Sequence, residues 1–201
     1  EYPVKVINNG IDLKTFKPFK GNFRNKYNLD GKFIILGVAS VWDRRKGLKY
    51  FIELADKVSE DEVIVLVGLT GKQIEKIPKN VIGITRTNNV EELVNIYSSA
   101  DVFVNPTLED NFPTTNLEAL ACGTPVITFD TGGSPESVDG NTGFVVQKGN
   151  IDELLYKIRS LIKRSNVEIQ EVLKMTKNRA ESMYNKDDKF KEYVELYKSV
   201  K

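Results

Sequence analysis

Hydrophobic and polar positions alternate along this chain between short apolar runs and longer amphipathic segments. The apolar runs are rich in valine and isoleucine. The strongest span residues 33–39, 62–67, 101–105 and 125–129, and weaker ones span 4–7, 81–84 and 144–146. Continuous apolar runs of this length are typical of strands that are buried on both faces of a parallel sheet. The pattern therefore predicts a parallel sheet that is covered by helices.

Amphipathic segments with helical periodicity separate the predicted strands. They span residues 47–59, 90–98 and 115–121. Beyond the last predicted strand, three further helices follow one another with no strand between them, at residues 151–164, 168–184 and 187–200. The predicted fold class is thus α/β, a Rossmann-like parallel sheet sandwiched by helices, with a C-terminal helical tail over residues 151–201.

Ligands in open parallel sheets bind at the carboxyl ends of the strands, so the loops at that edge are the first places to look for a site. In this chain those loops follow Ala39, Val67, Ile84, Asn105 and Phe129. A length of 201 residues suits one domain, and we expect residues 1–201 to form a single one.

The composition narrows the chemistry that this chain can carry out. It has no histidine and one cysteine, so Ser-His-Asp catalysis, imidazole ligation of zinc and an intrachain disulfide are excluded. The cysteine, Cys122, is expected to pack as a small buried residue. A formal net charge of +1 gives no electrostatic footprint for nucleic acid or for an anionic membrane. A bound anion must therefore be held by local geometry.

The most informative segment links the predicted strand 101–105 to the predicted helix 115–121. A polar loop follows the strand after Pro106, and a helix begins near Thr114. The free amides at the amino end of that helix favour an anion such as a diphosphate. Asp110 lies in the loop and Glu118 lies eight positions later, inside the helix. The two carboxylates can therefore address different parts of one extended ligand.

This segment resembles the signature of glycosyltransferase family 4, a group of retaining enzymes with the GT-B fold. The family has two acidic residues eight positions apart with an aromatic residue between them. Here Asp110, Phe112 and Glu118 match, and Ala-Leu-Ala-Cys-Gly-Thr-Pro-Val follows. The chain departs from the family pattern in two ways, because it has Asp110 in place of the usual glutamate and Pro113 in place of the usual glycine.

The resemblance implies a role for each residue of this segment. Glu118 would bind the ribose hydroxyls of a nucleotide-sugar, and Asp110 would hold its sugar as a catalytic residue. Backbone amides of the loop and the helix start would hold the diphosphate, which gives the donor-binding candidates Asn111, Phe112, Thr114 and Thr115. Because proline has no N–H, any contact through the amide at Pro113 would pass to Thr114 or Thr115. The alternative is a capped helix with two solvated carboxylates.

A second candidate group follows the predicted strand 33–39. The resemblance implies an arginine five or six residues before a Lys-Gly pair, and these cations would neutralise the diphosphate leaving group. Lys46-Gly47 matches the pair and makes Lys46 a catalytic candidate, but Ser40-Val41 stands where the arginine belongs. In this interpretation Ser40 donates a hydrogen bond, and the missing charge comes from Arg44 or Arg45. The alternative is a solvated basic run at the start of a helix.

Two weaker signals complete the predicted ring of loops. The segment 132–136 holds Gly132, Gly133, Pro135 and Glu136, which match a loop of the family. Its glycines permit close backbone approach to a ligand or to a partner domain, or they form a plain tight turn. The loop 83–88 lies where relatives cradle the nucleotide base through backbone atoms, which makes Gly83 and Ile84 candidates.

The opening residues 1–18 contain Asn-Gly-Ile-Asp followed by Phe and Pro, and resemble the junction between the two domains of the family. We therefore expect an N-terminal acceptor domain to precede this segment in a longer protein. No apolar run is long enough for a transmembrane helix, and the start has no signal-peptide layout. The expected location is cytoplasmic, with peripheral association at the inner face of the membrane compatible with it.

Together these residues predict the donor-binding half of a retaining glycosyltransferase that uses a nucleotide-sugar, without a metal cofactor, in glycan or polysaccharide synthesis. The expected partners are the donor and the N-terminal domain, and not nucleic acid. Two alternatives stay open. One is a nucleotide-sugar epimerase or hydrolase of the same fold, and the other is a non-catalytic binding module, which the missing upstream arginine favours. An NAD-dependent dehydrogenase is disfavoured because no G-x-G-x-x-G follows a strand.

Overall fold

The structure, a computed structural model, describes residues 4–199. Residues 1–3 of the predicted junction segment and residues 200–201 at the end of the predicted tail lie outside this range. Within it there are six strands: β1 Phe33–Val38, β2 Glu62–Val67, β3 Val81–Ile84, β4 Val102–Asn105, β5 Val126–Phe129 and β6 Gly143–Val146. All pair in parallel in one sheet of order β3-β2-β1-β4-β5-β6. This is the order of a Rossmann fold, and the predicted α/β class is confirmed.

Helices connect the strands and form the tail. Their bounds are α1 Phe23–Lys26, α2 Leu48–Ala55, α3 Gly71–Ile74, α4 Val90–Ser99, α5 Thr114–Ala121, α6 Ile151–Ile162, α7 Asn166–Met183 and α8 Lys186–Ser199, with a 3₁₀ turn at Ser134–Ser137. All six predicted helices form. The pattern misses α1 and α3, because four-residue helices are too short to show a periodicity. The predicted helix 47–59 ends early, since the amides of Lys57 and Val58 both bond to the carbonyl of Leu54.

The weak strand predicted at residues 4–7 does not form, and that prediction is wrong. Val4 and Val6 are 90% and 77% exposed, so no buried sheet face receives their side chains. The opening segment instead makes an isolated parallel bridge between Ile11 and Asn185. This bridge ties the segment to the residues just before α8.

Helices cover both faces of the sheet, and a separate hydrophobic cluster fills each side. On one side, Ile34, Leu36 and Phe103 pack with residues of α4 and α5. On the other side, Ile35 and Ile64 pack with residues of α2 and α6. Successive strand residues alternate between the two clusters, which explains why these strands read as unbroken apolar runs.

The helix that follows β4 is held from behind by the tail, because α7 packs against α5. Cys122, directly after α5, is buried as predicted, and burial raises the pKa of its thiol to about 12. Across the described range, the helices lack the combination of length and apolar character that crossing a bilayer requires.

The strand order places β1 beside β4, with β2 and β3 on one side of this pair and β5 and β6 on the other. The connections that leave the two central strands therefore run in opposite directions. A crevice opens at the carboxyl ends of such a pair, and ligands of open α/β sheets bind there. The fold therefore predicts a ligand site at the carboxyl edge of the sheet, beside β1 and β4.

Candidate functional site

A cavity of about 540 Å³ lies at this edge of the sheet. The loops that follow β1, β2, β3 and β4 line it together with the first turns of α5. Its size suits a small organic ligand, since such pockets measure about 300–1,000 Å³. Of the residues singled out from the sequence, the lining contains Ser40, Lys46, Asp110, Phe112, Thr114, Thr115 and Glu118. The structure does not place Arg44, Arg45, Gly83, Ile84 or Asn111 in the lining.

The amino end of α5 opens onto the cavity without a side-chain cap. The helix begins at Thr114, and the capping position is Pro113, whose side chain accepts no hydrogen bond. The amides of Thr114 and Thr115 have no acceptor in the part of the chain that the structure describes. The first turn also contains no acidic residue. Free amides and the helix dipole therefore make this end of the cavity a place for an anion.

Lys46 and Asp110 are in direct contact at the cavity, although they are 64 positions apart in sequence. The Nζ atom of Lys46 lies 2.6 Å from Oδ2 of Asp110, and the two side chains are 25% and 17% exposed. A charge-assisted hydrogen bond of this length fixes both groups before any ligand binds. The sequence motifs on two separate loops thus belong to one site.

Backbone contacts between those two loops hold this pair in register. The amide of Leu108 donates to the carbonyl of Arg45 at 2.7 Å. The hydroxyl of Thr107 donates to the same carbonyl of Arg45 at 3.3 Å. Gly47 adopts a φ of +76° and packs against the carbonyl of Pro106 so closely that a β-carbon would overlap it. The position after Lys46 therefore requires glycine.

Glu118 lines the cavity from the second turn of α5. The hydroxyl of Tyr97 on α4 donates to its Oε2 at 2.9 Å. Burial raises the pKa of Glu118 to about 6, and the bond from Tyr97 works against that rise. The pKa of Tyr97 itself is raised, chiefly because the ring is fully buried. A carboxylate with one oxygen held in this way can accept hydrogen bonds from a pair of ligand hydroxyls.

The arginines proposed to supply the second charge, Arg44 and Arg45, are exposed and lie outside the cavity lining. The turn explains this, because the amide of Lys46 donates to Oδ1 of Asp43 at 2.9 Å. That bond turns the lysine toward the cavity and leaves the two arginines in solvent, where Arg45 lies 3.8 Å from Asp43. The second cation in the lining is instead Arg86, in the loop after β3.

Gly83 and Ile84 belong to β3 and not to the loop that reaches the cavity. A β-carbon at Gly83 would meet Ile77 at 2.8 Å, so this glycine makes room for packing. The carbonyl of Ile84 accepts the amides of the two residues that follow β2. The cavity is lined by the next three residues, Thr85, Arg86 and Thr87. The loop after Ile84 therefore lines the cavity, whereas the candidates Gly83 and Ile84 do not.

The loop 110–112 is held by the loop that follows β5. Gly132 and Gly133 approach the backbone of Asp110 and Asn111, and a β-carbon at either glycine would overlap a carbonyl oxygen there. The family-like glycines therefore serve close approach to the protein's own loop. Asn111 is exposed, whereas the ring of Phe112 packs on Tyr184 with 5.7 Å between the ring centres.

A chain of buried amides under the cavity was not foreseen from the sequence. Asn105 at the end of β4 donates to Asn116 of α5 at 2.8 Å, and Asn116 donates to Ser137 at 2.8 Å. Asn116 and Ser137 are fully buried. This chain fixes the first turn of α5 relative to the strand. The available signal was an asparagine at an otherwise apolar position of the helix.

Comparisons with known proteins agree with this geometry. The family model described as glycosyl transferases group 1 matches residues 32–164. A D-inositol 3-phosphate glycosyltransferase from Mycobacterium sp. (strain KMS) is 27% identical over 175 residues, which cover 80% of this chain and 40% of that protein. The structure of Anabaena Alr3699/HepE in complex with UDP-glucose superposes with a TM-score of 0.84 at 19% identity, over 97% of this chain and 57% of that one.

A third match is a solved domain that aligns over nearly its whole length with this chain. The C-terminal domain of a glycosyl transferase group 1 family protein, LpcC from Francisella tularensis, superposes with a TM-score of 0.71 at 20% identity, over 88% of this chain and 99% of that one. At these identities the two structures establish the fold. The chain spans about half the length, or less, of the Mycobacterium and Anabaena proteins. Because the family model matches well over half of its residues, the chain belongs to the group 1 glycosyl transferases.

Proposed function

We propose that this chain is the donor-binding half of a retaining glycosyltransferase that moves a sugar from a nucleotide-sugar to an acceptor. One observation carries the proposal: Lys46, Asp110, Glu118 and the uncapped start of α5 line a single cavity at the binding edge of the sheet. The UDP-glucose bound to the Anabaena protein of the same fold supports it. The acceptor side belongs, in this proposal, to an N-terminal domain of the full-length protein.

Each part of the donor has a partner in the cavity. The amides of Thr114 and Thr115 take the diphosphate, and Lys46 leaves Asp110 to pair with it. Glu118 accepts hydrogen bonds from the ribose hydroxyls with the carboxylate oxygen that Tyr97 does not occupy. Asp110, released from Lys46, is then free to accept hydroxyls of the sugar.

The transfer step follows from this placement. The bond between the anomeric carbon and the leaving diphosphate breaks while a bond to the acceptor oxygen forms on the same face of the sugar. The proton of the acceptor hydroxyl passes to the departing phosphate oxygen. Negative charge grows on the diphosphate as it leaves, and Lys46 and the α5 amides are aimed at that charge. They therefore stabilise the transition state more than the bound donor.

The full-length protein acts in glycan or polysaccharide synthesis on the cytoplasmic side, in peripheral contact with the inner face of the membrane. It needs no metal ion, because a lysine and helix amides supply the positive charge at the diphosphate. A transfer rate of the full-length protein that EDTA leaves unchanged is the expected result, and a rate restored only by added Mg²⁺ or Mn²⁺ would contradict it.

Calorimetry on the 201-residue chain tests the roles of Glu118 and Lys46. Glu118→Ala is expected to weaken the binding of UDP and of uridine alike, by about tenfold, because both ligands carry the ribose. Lys46→Ala is expected to weaken the binding of UDP and GDP but not the binding of the free nucleosides. The control is Lys79→Ala, because Lys79 is exposed at the opposite end of β3. Equal losses for uridine and UDP in Lys46→Ala would contradict the phosphate role.

The isolated chain is expected to bind the donor weakly and to transfer nothing, because the acceptor side of the cleft is not part of it. Product analysis of the full-length protein separates transfer from its alternatives. A glycoside supports the proposal, whereas free sugar or an epimer as the main product would replace it with hydrolysis or epimerisation.

A further inference from the structure

Tyr184, the residue that caps the end of α7, packs against the loop that carries Asp110. It is buried, with 2% of its surface exposed. Its ring lies on the ring of Phe112, with 5.7 Å between the ring centres and 56° between the ring planes. Phe112 lines the cavity, whereas Tyr184 is not among the described residues that line it. Any effect of Tyr184 on a ligand must therefore pass through Phe112 and its loop.

Main-chain hydrogen bonds fix the position of Tyr184. Its amide donates to the carbonyl of Ala180 at 3.0 Å. Its carbonyl accepts the amide of Ile11 at 2.7 Å, and the carbonyl of Ile11 accepts the amide of Lys186 at 3.0 Å. The side chain of Lys186 adds an ion pair of 2.9 Å with Asp12. The helical tail and the opening segment of the chain therefore hold the backbone of this tyrosine together.

The hydroxyl of Tyr184 bonds to the loop that follows β5. It donates to the carbonyl of Glu136 at 2.7 Å, and Arg179 of α7 donates to the same carbonyl at 2.9 Å. The same loop carries Gly133, whose amide donates to the carbonyl of Asp110 at 3.3 Å. Tyr184 thus contacts the Asp110 loop directly through its ring and indirectly through the loop after β5.

We propose that Tyr184 is a positioning residue for the sugar end of the donor, because it holds the ring of Phe112 and with it the loop of Asp110. This inference rests on the proposed function, in which Asp110 accepts hydroxyls of the sugar. A binding group is effective only where the residues behind it lock its position, and a ring pair at this separation adds to the stability of such a contact. The nucleotide end depends instead on α5, whose first turn is fixed by the bond between Asn105 and Asn116. Loss of the Tyr184 ring should therefore affect the sugar and spare the nucleotide.

Calorimetry on the 201-residue chain tests this role with UDP, GDP, UDP-glucose and GDP-mannose, since each nucleotide-sugar differs from its diphosphate by the sugar alone. In Tyr184→Leu, the affinity for the nucleotide-sugar that the wild-type chain binds is expected to fall about fivefold, on the scale of one aromatic pair. The affinity for the matching diphosphate stays unchanged. Tyr184→Phe is expected to keep both affinities, because it retains the ring and leaves the carbonyl of Glu136 bonded to Arg179.

Tyr27→Leu is the matched control. Tyr27 likewise caps the end of a helix, α1, and its ring lies 4.7 Å from the ring of Phe23. Tyr27 is not among the described residues that line the cavity, so the control is expected to change neither affinity. If urea unfolding shows that Tyr184→Leu does not fold, Tyr184→Met takes its place, because methionine fills a buried space without a ring.

An unchanged affinity for the nucleotide-sugar in Tyr184→Leu, or an equal loss for its diphosphate, overturns this inference alone. A loss in Tyr184→Phe as large as the loss in Tyr184→Leu does the same, because the ring would then not be the group that acts. A wild-type chain that binds UDP or GDP but neither nucleotide-sugar also overturns it, since the cavity would have no sugar end to position. If the wild-type chain binds none of the four ligands, the proposed function fails with it.

Discussion

Gly47 packs its backbone directly against the carbonyl group of Pro106, in a contact that leaves no space for a β-carbon. The contact joins the turn that carries Lys46 to the loop that carries Asp110. The φ of Gly47 is +76°, which other residues adopt only with strain. The 2.6 Å ion pair between the two side chains thus depends on a backbone arrangement that glycine alone fits.

Gly47→Ala is expected to lower the free energy of unfolding by about 2 kcal/mol or more, because it combines a positive φ with a backbone overlap. The same substitution is expected to weaken pyrophosphate binding, since the Lys46 turn must move. Urea unfolding and calorimetry measure the two effects. Gly71→Ala is the control, because a β-carbon at Gly71 meets nothing within 4 Å. A Gly47→Ala chain as stable as this control would contradict the proposed constraint.

The buried carboxyl of Glu118 predicts a pH dependence. Its pKa is about 6 in the folded chain against an ordinary value of 4.5, so the folded state binds this proton more tightly. The contribution of Glu118 to stability is therefore largest below pH 4.5 and is lost as the pH rises through about 6. The loss is about 2 kcal/mol. Glu118→Gln, which stays neutral, is expected to gain that much over the wild type between pH 4.5 and 7.

Ligand binding has the opposite dependence, because the ionised carboxylate is the better acceptor for ribose hydroxyls. Uridine affinity is expected to fall as the pH drops below about 6. Tyr97→Phe removes the hydrogen bond that opposes the rise in the pKa, so the midpoint should move to higher pH. Calorimetry from pH 5 to 8 measures both. A uridine affinity that is flat over this range would remove Glu118 from the ribose site.

Much of the site could be predicted because it follows linear patterns. The strand that ends at Asn105, the helix start at Thr114 and the acidic spacing are all local features of the chain. That the loops carrying Lys46 and Asp110 lie at one edge followed from the rule that carboxyl ends of parallel strands share an edge. The bond length and the glycine contact that fix the pair required coordinates.

The failures have a common physical reason, which is that a sequence does not state which way a side chain points. Arg44 and Arg45 are adjacent to Lys46, yet the hydrogen bond from the Lys46 amide to Asp43 leaves them in solvent. Arg86 was passed over because its loop was expected to act through backbone atoms. Only the structure shows that this residue is part of the cavity lining.

Asp110→Asn is expected to strengthen pyrophosphate binding to this chain. The carboxylate of Asp110 lies 2.6 Å from Lys46 and carries a negative charge at the cavity. It therefore opposes the binding of an anion in two ways, because it occupies the lysine and because it repels the anion. Its removal should raise the affinity roughly five- to tenfold, the effect of one like charge at about 5 Å in partly solvated surroundings. Lys46→Ala added to Asp110→Asn should cancel the gain. A lower pyrophosphate affinity in Asp110→Asn would mean that the ion pair is itself needed to place Lys46.

The buried amide chain predicts a non-additive pair of mutations. Asn116→Ala leaves the amide of Asn105 without its acceptor and removes the N–H that donates to the hydroxyl of Ser137, and is expected to cost about 2–4 kcal/mol of unfolding free energy. In the double variant Asn105→Leu with Asn116→Leu, the Asn105–Asn116 bond loses both partners together, so the loss should be smaller than the sum of the single losses. Asn141→Ala, at an exposed position, is the control. Urea unfolding of Asn116→Ala, of the two single leucine variants, of the double variant and of the control measures these losses. Strictly additive losses would show that the two amides do not act together in holding the first turn of α5.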